Sequence, residues 1–220
     1  MNRTLAAVLL ALAAAGVAPS CSSMYYGTME AFGVHKREIF VDRVEEGREA
    51  QQDAKEQFAN ALEAFKAATK FEGGKLEATY EKLNREYESC ESRVEAVRSK
   101  IKGIEDVSEA LFDEWRDEIG QMQSADLKRK SESNLKDTEK RYGTLIAAMK
   151  NAESKMAPVL VSLRDHVLYL KHNLNAQAIA SLQGDLGSIE SDVGALIGDM
   201  QKAIAEADAF IAQLEGKSKG

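Results

Sequence analysis

The stretch Tyr80-Glu81-Lys82-Leu83-Asn84-Arg85-Glu86-Tyr87-Glu88-Ser89-Cys90-Glu91-Ser92-Arg93-Val94-Glu95-Ala96-Val97-Arg98-Ser99-Lys100-Ile101 decides the fold class. Its apolar residues fall at 80, 83, 87, 90, 94, 97 and 101, in alternating steps of three and four, and charged residues fill the gaps. That spacing is the seam of a coiled coil, and it holds no period-two strand signal. Upstream it begins at Leu76; downstream it continues through Ile104, and Leu111 and Trp115 stand in the same phase beyond Ser108.

Three further seams flank this one. A first helix over roughly 28–70 carries Phe40, Val44, Ala54, Phe58, Ala61, Phe65 and Ala68, with Gly47 and Gln51 as weak points in the same register. A third, over roughly 124–172, shows Leu135, Thr138, Tyr142, Leu145, Met149, Ala152, Met156, Val159, Leu163, His166 and Leu170. The fourth, over roughly 176–215, shows Ile179, Leu182, Leu186, Ile189, Val193, Leu196, Met200, Ala207, Phe210 and Leu214. Breaks are expected at Gly73-Gly74, between Gly120 and an N-cap at Ser124, and at Asn173 to Asn175, where turn and cap chemistry is available. Pro158 lies inside the third seam without shifting its phase, so a kink is expected there and not a new helix. Short connections force antiparallel neighbours. The expected fold is all-α: an elongated antiparallel bundle of about four long helices with coiled-coil packing.

Composition agrees. Of 220 residues only two are proline and 30% are charged, the profile of long amphipathic helices. The formal net charge of −7 becomes −8 once Arg3 is removed with the leader, a balance that disfavours nucleic acid as a partner.

The N-terminus reads as an export signal. Met1 to Thr4 supply a positive start, Leu5 to Val17 a short apolar run, and Ala18-Pro19-Ser20 the residues before Cys21. Lipoprotein signals end in a cysteine that is acylated, so Cys21 is the expected lipidation site; ordinary cleavage after Ser20 is the alternative, since Ala18 and Pro19 depart from the usual motif. The organisation that follows is a signal peptide over 1–20, a lipidated linker over 21–27, a bundle over 28–216 and a disordered tail over 217–220. The expected location is the periplasm, lipid-anchored, at the outer membrane because Ser22 follows the cysteine.

The wording of two segments adds a family resemblance. His35-Lys36-Arg37-Glu38-Ile39-Phe40-Val41-Asp42-Arg43-Val44-Glu45-Glu46, continuing to Lys55-Glu56-Gln57-Phe58, resembles a bacterial lipoprotein family catalogued as domain of unknown function 2959. So does Val161 to Leu182, with Leu163-Arg164-Asp165-His166-Val167-Leu168-Tyr169-Leu170-Lys171-His172-Asn173-Leu174-Asn175. The resemblance implies an exported helical protein of Gram-negative bacteria and carries no known activity or site.

Catalytic and metal motifs are absent from the sequence. His166 and His172 stand six apart, about 240° around a helix, and no Glu-x-x-His or His-Glu-x-x-His occurs, so neither a zinc pair nor a di-iron site is expected. Asp165 and His166 are neighbours, about 100° apart on a helix, which is not triad geometry. The chain is therefore read as a non-enzyme without cofactors. Cys90, at a seam position, is read as a buried packing residue in preference to an intermolecular disulfide.

Three features remain as candidate interaction surfaces. His35-Lys36-Arg37, 14 to 16 residues beyond the anchor, is a basic cluster within reach of lipid headgroups; because Asp42, Glu45 and Glu46 nearly balance it, a solvated helix start is the first reading and headgroup contact the second. Around Met156 to Leu170 the flanking residues Leu160, Val161, Val167 and Leu168 are also apolar; burial is expected, with Arg164, Asp165 and His166 as a small polar group beside Phe58, Phe65, Tyr80 and Tyr87. Gly184, Gly187, Ser191, Gly194 and Gly198 form a stripe on the fourth helix, at ~0.8 to 1 kcal/mol of lost helix propensity per glycine. Close packing inside the bundle is the first expectation for that stripe, self-association the second and flexibility the third. The partners expected are the membrane, through the N-terminal lipid, and either an envelope protein or a second copy. The function expected is a scaffold, spacer or adaptor, with a membrane-shaping module of the BAR kind as the alternative. Arg93, Arg98, Lys100, Lys102, Lys128, Arg129 and Lys130 are the residues that would have to gather into a basic face for that alternative.

Overall fold

The computed structural model describes residues 35–70 and 76–218. The expected export signal over 1–20, Cys21 and the expected linker, the expected break at Gly73-Gly74, and the last two residues lie outside the described residues. Four helices fill the described chain: α1 (Lys36–Thr69), α2 (Leu76–Gln121), α3 (Ala125–His172) and α4 (Ala176–Ser218). They have 34, 46, 48 and 43 residues. At 1.5 Å per residue α3 alone is about 72 Å long. α1 packs on α2 and α4, and α3 packs on the same two, so α1 and α3 face each other across the diagonal of an up-down-up-down bundle.

The helix ends follow from local chemistry. Ser124 caps α3, its hydroxyl accepting from the Leu127 amide at 3.4 Å. Asn175 Oδ1 accepts from the Ala178 amide at 3.0 Å ahead of α4, and Asn173 Nδ2 donates to the Tyr169 carbonyl at 2.9 Å behind α3. The two asparagines thus make the α3–α4 turn from both sides. α4 runs to Ser218, so residues 217 and 218, expected in a disordered tail, are helical. α3 continues through Pro158 without restarting, with the proline exposed on the outer side, where it leaves the interhelical packing undisturbed.

The core is the set of seams read from the sequence: Phe40, Phe58, Phe65, Leu83, Ile104, Leu145, Met149, Met156, Leu163, Ile189, Leu196 and Met200 have essentially no exposed surface. One register differs. After Ser108 the buried residues of α2 are Phe112 and Ile119, while Leu111 and Trp115 are only partly buried. The step from Ile104 to Ser108 to Phe112 is four plus four. An extra four-residue step of this kind locally unwinds a coiled coil and turns the next residue inward. It brings Phe112 edge-on to Phe40 at 5.9 Å and to Tyr142 at 5.5 Å; Phe40 also meets Tyr142 at 5.7 Å and Phe210 at 5.4 Å. Each of the four helices contributes one ring, so this layer ties the whole cross-section together.

A second layer, at the middle of the bundle, explains the two weak points of the first seam. Gly47 is buried because α2 approaches it closely: a Cβ there would sit 2.6 Å from Ile104 Cδ1 and 3.4 Å from Met149 Cε. One turn on, Gln51 is fully buried and reaches across the diagonal, Nε2 donating to the Met149 carbonyl at 3.4 Å. Its Oε1 is buried without a hydrogen-bond partner. A single polar residue in an otherwise apolar seam fixes register at some cost in stability.

Ion pairs on the surface repeat that registration at every interface. Lys100–Glu46 and Arg93–Asp53 join α1 and α2 at 3.0 and 2.8 Å; Arg98–Glu153 and Lys150–Glu105 join α2 and α3, both at 2.5 Å. Lys155–Asp199 joins α3 and α4, and Lys66–Glu190 at 3.2 Å joins α1 and α4. Exposed pairs contribute only about 0 to 1 kcal/mol each. Their arrangement specifies which helices lie side by side and adds little to overall stability.

Candidate functional site: a cleft at one end of the bundle

At the end where α1 begins, the helices part to leave a cleft of about 690 Å³. Phe40, Leu111, Trp115 and Leu214 give it an apolar floor, Asn134 and Thr138 a polar side, and His35, Lys36, Arg37, Glu114 and Glu118 a charged rim. Its size falls within the range of ligand-binding cavities. The four-plus-four step in α2 creates it: with Phe112 turned into the core, Leu111 and Trp115 stand at the edge. Trp115 Nε1 donates to Ser131 Oγ at 2.8 Å, which holds the indole between α2 and α3. Thr138 turns its own hydroxyl back to the Asn134 carbonyl at 2.8 Å.

The basic cluster, read first as a solvated helix start and second as a headgroup contact, is partly spent on the bundle itself. Lys36 Nζ pairs with Glu114 Oε1 at 3.0 Å, and Arg37 donates to the Leu214 carbonyl at 2.5 Å. These two residues staple the start of α1 to α2 and α4.

The expected polar group of Arg164, Asp165 and His166 does not assemble. Successive helical residues diverge by about 100°, so Arg164 and Asp165 are exposed while His166 turns toward the bundle. His166 sits edge-on to Phe65, with ring centroids 6.2 Å apart, and its Nδ1 lies 4.0 Å from Asp185 Oδ2 on α4. The apolar flank of the same segment divides too. Val167 is buried and Leu160 partly so, but Val161 is 57% exposed and Leu168 and Tyr169 are each 42% exposed. Burial of Val161 and Leu168, expected from their apolar character, is therefore corrected: both point to the outer side of α3, away from either neighbouring helix.

The glycine stripe is corrected as well. Gly184, Gly187, Ser191 and Gly194 are exposed and Gly198 is partly so, and a Cβ at any of the four glycines would meet no atom within 4 Å. The seam of α4 uses the opposite face, so the stripe lies on the outside of the bundle and packs against no other helix. The closely packed glycine is Gly47, whose signal in the sequence was its place within a seam.

Cys90 is buried and its Sγ donates to the Gln57 carbonyl at 3.7 Å. Burial pushes its thiol up to about 12 from an ordinary 9.0. Between those values the unfolded chain loses a proton that the folded chain keeps, so the contribution of Cys90 makes stability fall as pH rises from about 9 toward 12. Because the thiolate is the reactive form, native protein at pH 8 is expected to resist a thiol reagent that labels it fully in denaturant; labelling at equal rates in both states would contradict burial.

Among the described residues no group of three or more His, Cys, Asp and Glu is placed to hold a metal ion. No described helix is long and apolar enough to cross a membrane.

The family model for a protein of unknown function, DUF2959, matches residues 25–214. The chain belongs to the DUF2959 family. The match takes in all three segments that build the end cleft, from His35 to Arg37, from Leu111 to Glu118 and from Asn134 to Thr138, and it ends at Leu214, the cleft's α4 residue. No curated protein and no solved structure matches the chain.

Proposed function

We propose that this DUF2959 protein is a lipid-tethered periplasmic spacer or adaptor of the Gram-negative envelope, held through Cys21 at the outer membrane and working through the surfaces of a rod without catalysis. What supports the reading is the conjunction of an N-terminal sequence, Met1 to Cys21, that reads as an export signal with four antiparallel helices of 34 to 48 residues. Such a bundle presents long, rigid side faces at a set distance from its anchored end, which suits helix-on-helix recognition of another envelope protein.

The charge pattern favours this over membrane shaping. Arg93 pairs with Asp53, Arg98 with Glu95 and Glu153, Lys100 with Glu46, Lys102 with Asp106 and Arg129 with Asp126. Five of the seven residues that would form a basic lipid-facing surface are thus matched by acids, and the surface they occupy is mixed. Electrostatic attraction to anionic lipid needs an excess of positive charge, which these pairs remove.

Replacing Cys21 with Ala tests the tether. The expected outcome is complete loss of labelled fatty acid and release of a folded, fully helical protein from the membrane fraction. A wild-type protein that takes up no fatty acid would overturn the reading.

A further inference from the structure

Four of the five large apolar residues that stay exposed among the described residues, Val161, Leu168, Tyr169 and Leu174, fall within fourteen positions at the end of α3. Val161 and Leu168 are seven residues apart, so they stand one above the other on the outer side of the helix, as residues of a coiled-coil seam do. Arg164 and Asp165 lie between them in height. At 3.6 residues per turn they fall about 50° to either side of the Val161–Leu168 line, Arg164 near Tyr87 of α2 and Asp165 on the opposite flank. Both are exposed, and neither is paired within the bundle. Ala157 and Pro158 hold the same two flanks one heptad before, and Lys171 and His172 one heptad after, so opposite charges stand astride the apolar line at one level only. Such a face is complementary to itself. A two-fold axis parallel to α3 sets Val161 against Val161 and Leu168 against Leu168 of a second copy, and carries the Arg164 flank of each chain onto the Asp165 flank of the other. An antiparallel arrangement brings like flanks together, Arg164 to Arg164 and Asp165 to Asp165, which costs energy. Charge complementarity thus selects both the occupant of the face and its direction.

We propose that the outer face of α3 from Val161 to Leu168 pairs in parallel with the same face of a second copy of this chain, Arg164 of each copy meeting Asp165 of the other. The proposal names a partner for the helix-on-helix recognition read above as the function, and it rests on that reading. Parallel is also the orientation of two chains anchored to one membrane. Contact along a single helix buries less than the ~1,200 Å² of a stable interface, so the dilute, untethered protein is monomeric and pairing draws on the concentration that a shared membrane supplies.

The test uses the purified, unlipidated Cys21→Ala chain at millimolar concentration, so its result is independent of the tether, and Cys90 is buried and does not compete. Under mild oxidation Val161→Cys is expected to form a disulfide-linked dimer roughly tenfold faster than Ser191→Cys, an exposed position on the outer side of α4. Adding Asp165→Arg to the Val161→Cys chain sets like charges together on both flanks and is expected to remove that advantage, with helical circular dichroism unchanged because the site is exposed. Exchanging both charges, Arg164→Asp with Asp165→Arg, is expected to restore it. Equal rates for Val161→Cys and Ser191→Cys overturn the proposal and leave the face to a different partner. A double exchange that stays as slow as Asp165→Arg alone overturns it as well. Preferential linkage of Val161→Cys chains to Leu168→Cys chains shows an antiparallel contact and overturns the parallel register.

Discussion

Phe40→Ala is expected to lower stability by about 3 to 5 kcal/mol, the range for removing a buried aromatic side chain. Phe40 has no exposed surface and meets rings from each of the other three helices, Phe112, Tyr142 and Phe210, all in edge-to-face geometry at 5.4 to 5.9 Å. The rings around it are fixed on four separate backbones, so collapse into the void would require whole helices to move. Each aromatic pair adds about 0.5 to 1.5 kcal/mol beyond its buried area, which places the expected loss toward the upper end of the range. Chemical denaturation at equilibrium measures it. A loss below about 1 kcal/mol would show that the layer is not packed as described.

The second large effect separates two kinds of glycine. Gly47→Leu is expected to cost about 1 to 3 kcal/mol or more through overpacking, because even a Cβ at this position would approach Ile104 Cδ1 to 2.6 Å. The flexible end of Ile104 can yield to one methyl group but not to a branched side chain held between α2 and α3. Gly194→Ala is expected to change stability in the opposite direction, by about 0.5 to 1 kcal/mol, since a methyl group there meets nothing within 4 Å and only helix propensity is recovered. Thermal unfolding of both variants reads the two signs. Destabilisation by Gly194→Ala would mean that the outer face of α4 is in contact with something in solution, and stabilisation by Gly47→Leu would mean that the centre of the bundle is loose.

The sequence revealed the seams because heptad spacing is a property of one helix, readable without knowing its neighbours. Fifteen seam residues from Phe40 to Ile104 are buried as their spacing requires, counting the two weak points Gly47 and Gln51 among them, and Tyr80 and Tyr87 are partly buried. What it concealed depended on pairs of helices. The step from Ser108 to Phe112 and the step from Ser108 to Leu111 are both ordinary helical intervals, and only the rings of Phe40, Tyr142 and Phe210 decide between them. On α4 the seam of Ile189, Val193 and Leu196 marks the inward face, but whether α1 or α3 also reaches the flank that carries Gly194 depends on the placement of those helices, and neither does.

The candidate site was legible only as fragments. His35, Lys36 and Arg37 stood out as a basic cluster, but the cleft they border needs Trp115 from α2 and Leu214 from α4, which lie far away in sequence. Arg164, Asp165 and His166 stood out as adjacent polar residues, and adjacency on a helix is what sends their side chains in different directions.

A spacer works by its length, so the dimension of the molecule in solution tests the account most directly. X-ray scattering from the unlipidated Cys21→Ala protein is expected to give a radius of gyration of about 22 Å and a longest dimension of at least about 70 Å, as four parallel axes of this length require. A radius near ~17 Å, that of a compact domain of 200 residues, would contradict it.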